Sequence, residues 1–527
     1  MPNLGTLGSS SKGIITGNNA RFLRLWYEVN GNNIKYDADN YKDSVEADEK
    51  WYPCRKGGAF RKWFGNNEYV INWYHNGDEI INKAQSEKRN CQDYSHEYKF
   101  IPSISWTSIS NASPSFRYGA HDLSESAGMS YFCEKENVLY ILGLLNSKVA
   151  YELLQVLAPT LNYTAGAINN LPVKNENSNL INKITNDNVM MSARDWNSFE
   201  TSWDFDGHPL VKKSKSLAES YRLYKSNTND TFEALKSNEE EINRIFIGIY
   251  GLADELTPDV ADKDVTVARI YDMKEEIPDS MKGNNYVLPR EDVVKSLISY
   301  AVGCMFGRYS LDEPGLICAG GEFDTSKYET YHPDEDAIIP ICDDEYFEDD
   351  IVDRFCAWLS AAFGKENFMD NLLFIADSLS GGKGLPREVI RNYFLNDFYS
   401  DHCKRYQKRP IYWLFDAGKK NSFKALVYLH RYDKDTLACM RTNYVYKQQE
   451  LYKTRIETTQ NRIDTAVSQT DKNKFKRELK KLHEQFDEIH VYEEKIHHYA
   501  DLRQEIDLDD GVKHNYALFA DILAKIK

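Results

Sequence analysis

The chain has 527 residues, 42% of them hydrophobic and 28% charged, with a formal net charge of −16, a balance typical of a globular protein of several domains. No apolar run of about 18 residues and no secretion-signal pattern occurs in it, so the sequence predicts neither a membrane span nor export. Its nine cysteines are scattered without a CxxC pair, which favours reduced thiols in the cytoplasm over a disulfide framework or a zinc ribbon.

Residues 1–173 are predicted to form mixed strands and loops that end in one helix. Short β-prone runs at 13–17, 68–74, 98–109 and 129–134 are separated by Gly, Asn and Ser. Leu and Val residues at three- and four-residue steps then predict a single helix over 138–157, stopped by Pro159.

The remainder of the chain is predicted to be mostly helical. An Asn-rich linker at 174–188 precedes two amphipathic helical runs. Pro289, with acids in the turn that follows, predicts a helix start. Residues 351–364 have the apolar face of a packed helix, and 408–432 have the β character of a hairpin that bends at Gly418.

Long coiled-coil-like helices are predicted from residue 442 to about 505, because Phe, Leu and Ile recur there at heptad spacing. We therefore expect an α+β fold. Its predicted domains are a strand-and-loop domain (1–173), a helical linker or spacer (174–290), a mixed helical domain with a basic hairpin (291–440) and long C-terminal helices (441–527).

Charge is distributed unevenly along the chain. Acids concentrate at 332–353, whereas 404–434 holds nine Lys or Arg against two acids. Residues 50–67 contain no acid, and their basic residues are Lys50, Arg55, Lys56, Arg61 and Lys62. Because salt screens charges beyond about 8 Å, a local basic surface can attract a polyanion despite acidic regions elsewhere.

The basic segment 50–67 also contains several large aromatic residues. Charge and flat rings together suit a nucleic-acid surface, where lysines and arginines supply affinity and rings stack. Gly57 and Gly58 would let the backbone approach a phosphate closely. The alternative is a solvated hairpin with a partly buried aromatic face.

A second candidate is the Thr-Gly-Asn-Asn turn at residues 16–19. Asn pairs bidentately with adenine, so Asn18 and Asn19 are candidates for base contacts, and Arg21 and Arg24 could clamp phosphates. The alternative is that one of the asparagines caps a short surface helix. Further along, Asn162 and its neighbours could line a groove, although the helix before them is structural.

Enzyme signatures are absent from the sequence. The run at 380–386 resembles a phosphate loop but has Gly384 where Ser or Thr is needed. The acidic block lacks a calcium-binding frame, His497 and His498 lack a zinc frame, and no GxSxG occurs. We expect no catalytic residue, metal or cofactor site in this chain.

Five segments occur in the order known from one family: 12–29, 50–73, 104–110 with 116–119, 142–173 and 408–432. Together they resemble the carboxyl-terminal half of the PglX-type adenine-specific DNA methyltransferases of type 1 BREX phage-defence systems. Those enzymes are similar in turn to type IIG restriction-modification enzymes. The resemblance runs from about residue 4 to the end of the chain.

The resemblance implies that residues 1–173 form a target-recognition domain for double-stranded DNA. In the family, a separate methyltransferase domain binds S-adenosylmethionine and holds a flipped-out adenine with an Asn-Pro-Pro-Tyr/Phe motif. Neither that motif nor the Gly-rich cofactor loop occurs in this sequence, so we expect methyl transfer to lie elsewhere. The implied partners are DNA, a methyltransferase domain or chain, and other BREX proteins.

The expected function is therefore sequence-specific DNA recognition for N6-adenine methylation that distinguishes host from phage. The alternatives are a non-catalytic scaffold of the defence complex and a complete enzyme with an unrecognised site. The expected DNA contacts converge on one wall of the protein. They are Lys12, Thr16, Asn18, Asn19, Arg21, Arg24, Lys56, Arg61, Lys62, Trp63, Arg117 and Asn162.

Overall fold

The computed structural model describes residues 2–84, 86–109, 113–158, 160, 162–211 and 213–526, and its α+β architecture confirms the predicted fold class. The chain forms two compact units. The first comprises Met1–Trp26, Gly31–His208 and Tyr221–Val293; the second comprises Tyr27–Asn30, Pro209–Ser220 and Val294–Lys527. The predicted boundary at 290 lies close to this division, whereas those at 173 and 440 fall inside units.

The first unit is built on two four-stranded sheets and one parallel pair. Its strands are β1 Gly8–Ser11, β2 Leu23–Leu25, β3 Trp51–Arg55, β4 Tyr69–Asn72, β5 Ser103–Thr107, β6 Phe116–Gly119, β7 Leu123–Ser124, β8 Gly128–Cys133, β9 Arg269–Tyr271 and β10 Val287–Pro289. One sheet is antiparallel in the order β1-β8-β5-β6. The other has the order β2-β4-β3-β7, in which β3 and β7 are parallel.

Helices cover these sheets. They are α1 Leu4–Leu7, α2 Asn19–Phe22, α3 Tyr41–Glu46, α4 Tyr74–Ile81, α5 Lys135–Leu145, α6 Lys148–Leu157, α7 Ala165–Asn169, α8 Ser178–Trp196 and α9 Leu217–Tyr250. The prediction of two helical runs before residue 250 is wrong, because α9 is continuous. Its first four residues belong to the second unit.

The prediction of a single helix over 138–157 is also wrong, because the helix is interrupted between Leu145, the end of α5, and Lys148, the start of α6. Ser147 caps α6 by accepting the Ala150 N–H. At this interruption, the Asn146 side chain accepts a hydrogen bond from the Phe116 N–H (3.0 Å) and donates one to the Phe116 carbonyl (2.9 Å). The predicted stop at Pro159 lies outside the described residues.

One hydrophobic core joins the strands to helices that the sequence assigns to a separate spacer. Trp106 of β5, Ile141 of α5, Ile181 of α8 and Phe246 of α9 are all buried in it. Helix α8 begins at Ser178, inside the predicted Asn-rich linker. This core therefore contains residues from both sides of position 173.

The second unit contains a three-stranded antiparallel sheet within a set of helices. Its strands are β11 Ile338–Pro340, β12 Tyr412–Asp416 and β13 Lys424–Tyr428, in the order β11-β13-β12. The predicted hairpin is confirmed, with Gly418 in its turn at a φ of +146°. The helices are α10 Arg290–Met305, whose first four residues belong to the first unit, α11 Ile351–Phe363, α12 Phe368–Ser380, α13 Pro386–Asn396, α14 Phe398–Arg405, α15 Thr436–Met440, α16 Tyr446–Thr465, α17 Gln469–Leu502 and α18 Gly511–Ala517.

Helices α16 and α17 confirm the long C-terminal helices that the heptad pattern predicts, and they form a hairpin. A three-residue link, 466–468, joins them. Leu482, Ile489 and Ile496 of α17 are buried against the sheet and the neighbouring helices. Within the described residues, no helix is long and apolar enough to cross a membrane. All nine cysteines are free.

Candidate nucleic-acid interface

The Thr-Gly-Asn-Asn turn has a fixed geometry that its own side chains impose. Asn18 is the N-cap of α2 and accepts the Arg21 N–H (3.2 Å), so the capping alternative is confirmed. Thr16 is 1% exposed, and its hydroxyl donates to the Asn19 side-chain oxygen (2.6 Å). Thr16 therefore positions Asn19 and is too buried to contact DNA, whereas both asparagines are exposed.

The Gly57–Gly58 turn lies against other loops of the same unit. Both glycines have positive φ, +87° and +145°, a backbone region that favours glycine. A Cβ on Gly57 would lie 3.0 Å from the Ala127 carbonyl oxygen and 3.2 Å from the Thr107 methyl group. The Thr107 hydroxyl also donates to the Gly58 carbonyl (3.1 Å). These close approaches are made within the protein.

Glu125 joins the two turns. One of its carboxylate oxygens accepts the Asn19 amide N–H (3.1 Å) and the Ser126 hydroxyl (2.7 Å). The other accepts the Ala127 N–H (2.9 Å), and the backbone N–H of Glu125 donates to the Arg55 carbonyl (2.7 Å). This carboxylate is 3% exposed. It thereby holds the segments around residues 16–19, 55–58 and 125–127 beside one another.

We call this assembly the loop rim: residues 16–19, 56–58, 107–109, 125–127 and 162. Its last member joins through a β-bridge between Ile109 and Asn162. Ile109 is 68% exposed, and Asn162 is exposed too. Exposed amides and an exposed apolar side chain are the groups that read base edges and thymine methyl groups.

One lysine of the loop rim and one beside it supply positive charge. The ammonium of Lys56, in the rim, lies 4.6 Å from the centre of the Tyr69 ring. Lys12 is exposed, and the backbone of the residue after it packs against Ser124 and Glu125. The rim therefore combines positive charge with exposed amides.

Arg61 does not belong to this surface, and the expected phosphate contact from it is wrong. Its guanidinium is 2% exposed and pairs with Asp195 (3.0 Å). It also donates to the carbonyls of Phe64 (2.7 Å) and Ser192 (2.9 Å) and lies 5.0 Å and 5.2 Å from the ring centres of Trp196 and Tyr286. A phosphate has no access to a cation in this position.

Lys62 and Trp63 are also buried, and both bond to a carboxylate inside the first unit. The Lys62 ammonium pairs with one carboxylate oxygen of Glu239, and the Trp63 indole N–H donates to the other (2.7 Å). Lys62 is 8% exposed and Trp63 is 0% exposed. The expected DNA contacts from both residues are therefore corrected: their side chains fasten the basic segment to α9.

The expected base contact from Arg117 is also wrong. Arg117 is 2% exposed and donates to the Arg61 carbonyl (3.1 Å) and to Ser115. Burial, with the nearby charge of Arg55, lowers its pKa to about 9. Arg55 itself pairs with Asp122 (2.6 Å) inside the unit. Much of the basic segment is thus internal to the first unit.

The side chains of Arg21 and Arg24 already bond to other groups of the protein, which limits how far they could contact a phosphate. Arg21 is exposed but pairs with Glu79 and with Glu87 (3.3 Å), and these carboxylates raise its pKa. Arg24 donates to the Ala20 carbonyl (2.6 Å) and lies 5.8 Å from the centre of the Trp51 ring. The side chains predicted to form a single basic wall therefore do not form one, because Arg61, Lys62 and Arg117 are buried and Arg21 is paired.

Ile109 and the turn from Glu125 to Ala127 are not among the site residues predicted from the sequence. Ile109 lies in one of the segments that carry the family resemblance, so that segment was the available signal. Glu125 has no local signature, because its partners are brought to it by the fold. Among the described residues, no group of three or more His, Cys, Asp or Glu could hold a metal ion.

Two curated relatives match the chain, whereas no protein-family model does. The adenine-specific methyltransferase PglX of Lacticaseibacillus casei (strain Zhang) is 40% identical over 524 residues, which cover 97% of this chain and 42% of the relative. The adenine-specific methyltransferase BrxX of Escherichia coli O9:H4 (strain HS) is 37% identical over 545 residues, which cover 100% of this chain and 44% of the relative. The chain thus spans less than half the length of each relative.

Proposed function

Because nearly the whole chain is homologous to part of the adenine-specific methyltransferases PglX and BrxX, we propose that it is the DNA-recognition portion of such an enzyme. In this proposal the loop rim contacts double-stranded DNA and selects the site at which adenine is methylated. The observation that carries the proposal is the loop rim itself. It brings the Thr-Gly-Asn-Asn turn and the Gly57–Gly58 turn, both in segments that resemble the family, against the same segment, 125–127, with Asn18, Asn19 and Gly58 exposed.

The hydrogen bonds within the rim define what each asparagine offers to a base. Asn18 is exposed and uses its side-chain oxygen as the helix cap, which leaves its amide N–H groups as donors. Asn19 gives one N–H to Glu125 and accepts from Thr16, which leaves a second N–H and a lone pair in a fixed orientation. Such preorganised amides suit adenine, which presents an acceptor and a donor in the major groove.

The other rim residues supply complementary contacts. Ile109 offers an apolar surface to a thymine methyl group, and Asn162 a further amide. Lys12 and Lys56 are assigned to phosphates, which position a protein on the duplex without reading its sequence. Glu125 and Thr16 hold the rim in shape.

Methyl transfer itself is assigned to residues outside these 527. Adenine methylation needs a pocket for a flipped base and a site for S-adenosylmethionine, and the sequence contains no Pro-Pro pair from which the base-holding motif could be built. In this proposal, that chemistry comes from a methyltransferase domain or chain of the same BREX-type defence system. The chain then acts as its reader of DNA sequence.

A second candidate function is assembly of a defence complex without DNA reading. It is favoured by exposed apolar side chains in the second unit, which suit a protein partner. They are Met369 (65%), Leu373 (46%) and Leu385 (65%).

Duplex binding discriminates the two functions. The 527-residue chain is titrated with a random-sequence duplex over a salt series, and bound DNA is selected from a randomised library and sequenced. We expect binding at low salt and enrichment of a defined site. The K12Q/K56Q variant should flatten the slope of log K against log salt by about 1.8, or 0.9 for each lost phosphate contact. The I109S variant should change the enriched site.

R61A provides the matched control. Because Arg61 is buried, its replacement should lower the stability of the first unit and leave the salt slope unchanged. A chain that binds no duplex at low salt, or whose K12Q/K56Q variant keeps the original slope, contradicts the proposal and favours the assembly function.

A further inference from the structure

The distal end of the α16–α17 hairpin carries an unusual concentration of positive charge for a protein of net charge −16. Residues 472–481 contain six basic residues and one acid. The basic residues are Lys472, Lys474, Lys476, Arg477, Lys480 and Lys481, and the acid is Glu478. They lie in the first turns of α17, next to the link that joins it to α16.

The packing of the hairpin turns this charge toward solvent. Phe475 and Leu479 of α17 are half-buried and Ile463 of α16 is buried, so these apolar side chains mark the seam between the two helices. At 3.6 residues per turn, five of the six basic positions lie outside this seam, whereas Lys472 is half-buried and lies beside it. Lys476 and Arg477 are both exposed.

Most of this charge is not neutralised within the protein. Lys481 pairs with Asp343 (2.5 Å), and Lys480 lies 3.9 Å from Glu484. The described part of the chain supplies no ion pair to Lys474, Lys476 or Arg477. This differs from Arg61 and Lys62, whose charges are matched by buried carboxylates.

The chemistry of this face favours a polyanion over a protein partner. A protein interface is built around buried apolar or aromatic anchors, with charged residues at its rim. Between residues 472 and 481 the apolar side chains are Phe475 and Leu479, which the seam already uses. Duplex DNA, by contrast, offers one negative charge per about 1.7 Å of its axis, and ten helical residues extend about 15 Å.

We propose that this basic end of the hairpin, residues 472–481, is a second DNA-binding element that contacts the phosphate backbone of the duplex independently of sequence. This inference rests on the proposed function, because it takes duplex DNA as the ligand. It adds a contact in the second unit to the reading of bases by the loop rim in the first. The hairpin then increases affinity for all sequences and the rim discriminates among them.

The test compares two triple variants of the 527-residue chain on a random-sequence duplex. K474Q/K476Q/R477Q removes three exposed charges from the hairpin, and Gln keeps the helix propensity. Because each lost phosphate contact flattens the salt slope by about 0.9, raising salt fourfold should weaken the variant about 40-fold less than it weakens the wild type. The matched control, K365Q/K383Q/K513Q, removes three exposed lysines elsewhere in the second unit and should keep the wild-type slope.

The outcomes separate this inference from the proposed function. If wild type binds, K12Q/K56Q flattens the slope and the hairpin variant does not, the hairpin element is overturned and the proposed function stands. If the control variant flattens the slope as much as the hairpin variant, the effect belongs to net charge and the hairpin element is again overturned. A wild-type chain that binds no duplex overturns both.

Discussion

The buried contact of Lys62 and Trp63 with Glu239 gives a quantitative test of how the first unit is held together. In E239Q the Lys62 ammonium keeps a neutral acceptor but loses its counter-charge. The two side chains are only 10% and 4% exposed, so solvent screens their interaction little. Removing one partner from a buried ion pair costs about 3–5 kcal/mol, because the remaining charge stays desolvated.

The assay is urea unfolding followed by tryptophan fluorescence, to which Trp63 contributes from within the contact itself. We expect E239Q to lower the free energy of unfolding of the first unit by about 3–5 kcal/mol, and K62M by a similar amount. The double variant K62M/E239Q removes both charges and keeps a carbonyl for the Trp63 indole. Its loss should be smaller than the sum of the two single losses by about 1–3 kcal/mol.

Two results would refute this reasoning. A coupling energy below about 0.5 kcal/mol would mean that the two charges do not stabilise each other. A K62M variant that unfolds like the wild type but binds duplex with a salt slope flatter by about 0.9 would indicate that Lys62 contacts a phosphate. With the structure as it is, K62M should leave that slope unchanged.

Three further predictions concern stability. His402 is 1% exposed, its Nε2 accepts two backbone N–H groups, and burial lowers its pKa. Because the unfolded chain then binds more protons below about pH 6.5, lowering the pH below that value should reduce the free energy of unfolding by up to about 1.4 kcal/mol per pH unit. H402Q should reduce this pH dependence, and a wild-type free energy of unfolding that stays constant in urea from pH 7.5 to 5 would contradict the prediction. G119A places a Cβ 1.9 Å from the Arg55 guanidinium and should destabilise the first unit by about 1–3 kcal/mol. In G248A, on α9, the new Cβ meets no atom within 4 Å, so this variant should stabilise the unit by about 0.5–1 kcal/mol. Melting temperatures equal to that of the wild type would contradict both predictions. N18A loses the cap of α2 and should cost about 1 kcal/mol, which N18S should restore.

Elements with a strong local pattern are predictable from the sequence. The heptad spacing of the α16–α17 hairpin and the turn at Gly418 depend on residues close together in the chain, and the structure contains both. The break between α5 and α6 is not predictable in this way. Its apolar periodicity is continuous, and the helix stops because the Asn146 side chain bonds the backbone of Phe116, which lies 30 residues earlier.

The basic segment shows why charge composition misleads. Its arginines and lysines have no acid nearby in sequence, yet Arg55, Arg61 and Lys62 pair with carboxylates that lie 67, 134 and 177 residues away. Only the folded chain shows that these charges are internal. The Thr-Gly-Asn-Asn and Gly-Gly turns were found because turn residues are local signals, but their meeting at Glu125 depends on tertiary contacts.

Under the proposed function, the hydrogen bonds of Glu125 have a consequence for how the target site could change in evolution or by design. A 16–19 loop taken from a relative would be inserted without the segment that orients it in that relative. In this chain that segment carries Glu125, whose carboxylate accepts both the Asn19 amide N–H and the Ala127 N–H. Transplanting residues 16–19 alone should therefore yield a misaligned reader with weak specificity. Exchanging them together with the segment that carries the carboxylate should transfer the preference intact.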